Sequence, residues 1–119
     1  GTWVEDFYVA EGTPGQRLGT GQCGGVGVRK ELPPCGSMYK LIISKDSEQK
    51  YLYMADGTNN RVWIVDRQSG ETIGSFGGNG RYAGQLHWVN AIGTDSIGNI
   101  YTGEVEHAKR IQKFEPVWQ

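Results

Sequence analysis

The chain has 119 residues, 37% of them hydrophobic and 21% charged, and its 12 basic and 13 acidic side chains leave a net charge of −1. This composition excludes an intrinsically disordered chain, and with no run of Lys and Arg to neutralise a row of phosphates it argues against a nucleic-acid partner. No window of about 18 apolar residues exists, so no membrane-spanning helix is expected either.

Glycine is the outlier, with 19 residues and no Gly-X-Y period. Set among short apolar runs rich in Tyr and Trp, it predicts tight turns between short strands, an all-β fold. In chain order, residues 1–37 read as a degenerate unit or closing strand with a glycine-rich loop. Asp6 to Thr13, DFYVAEGT, resembles LYMADGT at Leu52 to Thr58. It fits the remains of a further unit and a lone strand filling a missing outer position equally well. The loop GQCGGVGVRKELPPC carries the two cysteines, Cys23 and Cys35. A disulfide between them would contribute roughly 2–4 kcal/mol and indicate an oxidising compartment, periplasmic or secreted. Two reduced thiols fit the sequence as well. Without a CxxC pair or clustered histidines, no zinc site is expected there.

The next unit spans 38–79. Leu41 to Ser44 form a short strand, and Tyr51 to Ala55 form an aromatic-rich strand that ends in Asp56. Gly57 to Asn60 make a hairpin loop and Arg61 to Val65 the returning strand. Its continuous apolar run, Val62 to Val65, suits a strand covered on both faces. A turn at Gln68 to Gly70 leads to a fourth strand, Thr72 to Phe76. The glycine-rich crossover GGNGRYAGQLHWV then opens the last unit, 80–119, a partial one, where Asn90 to Thr94 begin a strand. Gln112 and Lys113 replace Trp63 and Ile64 here, which places this unit at an exposed edge.

Residues 45–65, KDSEQKYLYMADGTNNRVWIV, align with 94–114, TDSIGNIYTGEVEHAKRIQKF. Asp46-Ser47 falls on Asp95-Ser96, Tyr53 on Tyr101, Asp56 on Glu104 and Arg61-Val62 on Arg110-Ile111, at a spacing of 48 to 49 residues. Units of four short antiparallel strands at that spacing have the size of a propeller blade. GRYAGQLHWVNAIGTDSIGNIYTGEVEHAKRIQKF and YLYMADGTNNRVWIVDRQSGETIGSFG resemble NHL repeats of the bacterial six-bladed type, over about 80 of the 119 residues. The resemblance implies antiparallel four-stranded propeller blades. A closed six-bladed ring takes on the order of 240 to 300 residues. An incomplete propeller is therefore expected, either a piece of a longer protein or a unit that assembles with copies of itself.

Propellers of this kind usually bind ligands near the central channel, and the resemblance sets the crossover HWVNAIG there. His87, Trp88 and Asn90, with Tyr39 in the matching upstream connector CGSMYKLIIS, are the candidate ligand-binding residues. The structural alternative is that His87 and Trp88 only pack the crossover against the next unit. His107, in the hairpin loop, reads as solvated. Asp56 with Arg61, and Glu104 with Arg110, read as structural ion pairs facing each other across hairpins, where opposite charges contribute roughly 0.2–1 kcal/mol. Asp46, Asp95 and Asn99 fall in turns, where such side chains bond the backbone. A zinc lyase of this fold holds its metal through histidines of different blades. This chain has two histidines, so that assignment does not carry over, and no catalytic residue, metal or cofactor is assigned. The expected function is a binding or scaffolding module presenting loops to a protein, peptide or carbohydrate, with protein partners or self-association. A fragment of a metal-dependent lyase or hydrolase, and a structural self-assembling unit without its own ligand, are the alternatives.

Overall fold

The computed structural model describes residues 1–5, 7, 38–105 and 108–117. The expectations for Cys23, Cys35 and His107, and for Asp6 to Thr13 apart from Phe7, lie outside the described residues. Within them the chain is all-β: β1 (Met38–Ile43), β2 (Tyr51–Asp56), β3 (Arg61–Asp66), β4 (Thr72–Gly77), β5 (Val89–Thr94), β6 (Ile100–Glu104) and β7 (Arg110–Phe114). They form two antiparallel sheets, ordered β1-β2-β3-β4 and β5-β6-β7. Among the described residues the second sheet is thus one strand narrower than the first.

Aspartates close the turns between strands. Asp46 accepts the Lys50 N–H at 3.1 Å and the Ser44 hydroxyl. Asp66 accepts the Gln68 and Ser69 N–H groups at 3.0 and 2.8 Å, and Asp95 those of Ile97 and Asn99 at 3.1 and 3.0 Å. Each short carboxylate satisfies donors that a turn would otherwise leave unpaired. The bond from Ser44 holds Asp46 below the usual carboxylate range, and the Asn99 side chain does the same for Asp95.

The two sheets repeat each other with a changing offset. Met38 and Val89 pair with Asp56 and Glu104, which in turn pair with Arg61 and Arg110. The offsets are therefore 51 residues for the first strands (38 to 89), 48 for the second (56 to 104) and 49 for the third (61 to 110). The first turn is three residues shorter in the second sheet, and the next hairpin one residue longer.

β5 lies against β1 and β2, and the main core forms between the sheets. Ala55, Val62, Leu86 and Val89 are fully buried there, joined by Tyr53, Ile92 and Ile100. Strand alternation sends Val62 and Ile64 to this core. It sends Trp63 and Val65 to a second cluster with Leu52, Met54 and Phe7 on the other face of the first sheet. Among the described residues no element packs on the outer face of the second sheet. Ile111 is 78% exposed there, although its counterpart Val62 is fully buried.

Leu86 brings the crossover into the core, and burying such a side chain stabilises by about 1.5–3 kcal/mol. Its seat requires a glycine. Gly77 has φ +103°, and a Cβ there would lie 2.6 Å from Leu86 Cδ1.

Candidate functional site

The strand ends nearest the two hairpins gather most of the residues singled out from sequence. In the first sheet Asp56 is fully buried. Its Oδ1 accepts the Thr58 and Asn59 N–H groups at 3.1 and 3.0 Å. Its Oδ2 accepts Asn59 Nδ2 at 2.7 Å and the Trp63 indole N–H at 3.0 Å. Arg61 is its backbone partner, but the guanidinium turns away. It donates to Ser75 Oγ at 2.9 Å and lies 5.9 Å from the centre of the Trp63 ring. The ion pair expected between Asp56 and Arg61 is replaced by a hairpin lock, because a side chain this short reaches its own loop before it reaches across the strand.

Glu104, one methylene longer, does reach further. Arg110 Nε donates to its Oε2 at 2.7 Å and Arg110 Nη2 to its Oε1 at 3.2 Å. Gln112 Nε2 adds a bond at 2.9 Å and the His87 N–H another at 2.8 Å. Burial pushes this carboxyl up, but the bonds from Arg110, His87 and Gln112 outweigh it and hold the group below its ordinary value. The cluster also grips the crossover, since Arg110 donates to the carbonyls of Arg81, Tyr82 and Gln85, and Gln112 bonds the Gln85 carbonyl and the Gly84 N–H. Gln112, read from sequence as a mark of exposure, is half-buried and part of this clamp.

The first sheet holds the same crossover through Asn60. This residue has φ +55°, accepts the Trp88 N–H on Oδ1 at 2.7 Å and donates from Nδ2 to Asn79 Oδ1 at 2.9 Å. Its counterpart before the second arginine, Lys109, also has a positive φ of 47°. Asn60 carries the junction, yet sequence reasoning passed over it as a loop residue. The available signal was an Asn directly before the Arg-led strand, a residue type enriched in left-handed conformations.

Trp88 is held on both sides. Its N–H is bound by Asn60, and its carbonyl accepts the Val105 N–H at 3.2 Å. Its φ is +54°, unusual for so bulky a residue, and the side chain is 44% exposed. Tyr39, 42% exposed, lies over Gly57, where a Cβ would overlap its ring and lie 2.7 Å from the Val89 carbonyl. Tyr39 and Asn90 hold equivalent places. Each is the residue displaced by a β-bulge, between Met38 and Lys40 in β1 and between Val89 and Ala91 in β5. Bulges re-aim side chains, and both of these are exposed.

His87 sits beside Trp88, half-buried, with its backbone N–H on Glu104. Among the described residues no group of three or more His, Cys, Asp or Glu side chains is placed to hold a metal ion. The described arrangement offers exposed aromatic rings and an amide on a well-anchored backbone, which suits contact with a ligand surface. Comparison with protein-family models, curated proteins and solved structures finds no match to this chain.

Proposed function

We propose that the chain is a binding or scaffolding module of NHL-repeat type. Its two sheets are successive propeller blades, and Tyr39, Trp88 and Asn90 form part of its contact surface for a protein, peptide or carbohydrate. The sequential strand order, the face-to-face sheets and the matching hairpin positions support the blade reading. The contact surface rests on one observation above the others: Trp88 is exposed in a left-handed backbone conformation while both of its backbone polar groups are pinned. Such a conformation costs of order 1–3 kcal/mol and persists where the surroundings hold it in place. A rigid aromatic presented in this way loses little further entropy on binding.

The test is a screen of immobilised peptides and glycans, followed by tryptophan-emission titration of any ligand found. Trp88→Ala and Tyr39→Ala should each weaken binding by about tenfold or more, the size of effect seen for anchor aromatics, and leave the melting transition in place. A ligand that binds both variants as tightly as the parent chain would remove these residues from the surface.

A further inference from the structure

The chain contains one Asn-Gly step, Asn79–Gly80, at the start of the crossover. Asparagine before glycine is prone to spontaneous deamidation, because no side chain on the second residue keeps its backbone nitrogen from reaching the asparagine amide. Asn79 is exposed, so water has access to it. The fold also requires glycine at position 80, since a Cβ there would overlap Gln85 Oε1, the atom that accepts the Tyr82 N–H at 3.0 Å. The crossover thus carries a reactive step as a condition of its shape. Both reacting groups are engaged. The Gly80 N–H donates to the Leu86 carbonyl at 3.0 Å and the Leu86 N–H to the Gly78 carbonyl at 2.6 Å, in a bridge between Asn79 and Leu86. Asn79 Oδ1 accepts Asn60 Nδ2 at 2.9 Å. Leu86, fully buried between the sheets, anchors the bridge.

We infer that Asn79–Gly80 is a self-modification site, which the folded crossover holds closed and whose reaction keeps the crossover from closing again. When the bridge opens, the Gly80 nitrogen gives its proton to hydroxide and attacks Asn79 Cγ. The new N–C bond forms, the Cγ–Nδ2 bond breaks, and ammonia leaves with a proton taken from water. A second water then opens the cyclic imide at one of its two carbonyls, giving aspartate or isoaspartate. Aspartate keeps an oxygen for the Asn60 amide to donate to, and the bridge can reform. Isoaspartate routes the main chain through the former side chain and lengthens it by one methylene. The Gly80 N–H then no longer falls opposite the Leu86 carbonyl, and Leu86 loses the register that seats it. Asn60 also holds the Trp88 N–H at 2.7 Å, so a loss at the first end of the crossover is felt at the other. The reaction needs only water and this chain, and it stands independently of any ligand at Trp88.

The test incubates the whole chain at mildly alkaline pH, folded or in urea, and follows the peptide containing Asn79 by mass spectrometry with separation of its aspartyl and isoaspartyl forms. Conversion should be slower in the folded chain by about tenfold or more, because local opening must precede it. It should rise with urea below the unfolding transition, in step with hydrogen exchange of the Gly80 amide, a measurement that needs no variant to fold. Asn60→Ala strips the bond from the Asn79 side chain and should speed conversion in the folded protein. The isolated isoaspartyl chain should have lost exchange protection at Gly80 and Leu86, whereas an Asn79→Asp chain keeps it. Equal conversion rates in the folded and unfolded chains, or unchanged protection in the isoaspartyl chain, would overturn the inference.

Discussion

Asp56 and Glu104 hold the same repeat position, each ending the second strand of its sheet and each backbone-paired to an arginine, yet they do different work. Asp56 bonds its own hairpin and the Trp63 indole. Glu104 bonds Arg110, Gln112 and the crossover at His87. One methylene separates them, and with it goes the choice between locking a hairpin and clamping the crossover to the second sheet. The arginines follow suit. Arg110 grips three crossover carbonyls, whereas Arg61 is left to Ser75 and the Trp63 ring.

The largest way to break this comparison is Glu104→Ala. It leaves Arg110 without its buried partner and frees the His87 N–H, so a loss of about 3–5 kcal/mol is expected in urea denaturation. The pH dependence should follow the same group. Its carboxyl lies below the ordinary value of 4.5 in the folded state. Its stabilisation is therefore present above that value and is lost as pH falls through the lower, folded one. Glu104→Gln should flatten the decline in stability on acidification relative to the parent chain. An identical acid profile for the two proteins would show that Glu104 gains nothing from its partners.

Asp56→Ala should cost less, about 1–3 kcal/mol, because only local donors lose their acceptor. Emission from Trp63 should change with it, and an unaltered spectrum would argue against the indole bond. Arg61→Ala should be smallest, about 0–1 kcal/mol, since its contacts are exposed. A loss as large as that of Asp56→Ala would restore a direct tie between the two residues.

Much of the strand framework was legible in the sequence. Alternation and turn chemistry place strands at Tyr51 to Ala55, Arg61 to Val65, Thr72 to Phe76 and Asn90 to Thr94, each within a residue or so of the observed element. The run Val62 to Val65 reads as doubly covered, and its side chains do divide between two clusters. The clamp was not legible. Gln112 stands where Trp63 stood and reads as a surface substitution, because alternation records polarity and not the partner that a polar group will find. Asn60 was missed for a related reason. Its role depends on Trp88 and Asn79, which approach it only when the sheets stack.

The repeat and its all-β character are properties of local pattern, since period-two alternation and turn-forming Asp and Gly act over a few residues. The sequence by itself therefore determined where the chain extends and where it reverses. Only the tertiary structure decided which equivalent residues diverge, that Asp56 closes a hairpin while Glu104 clamps the crossover. It also decided that Tyr39 and Asn90 emerge at matching bulges. Those outcomes depend on distances between segments far apart in the chain, which neither composition nor spacing encodes.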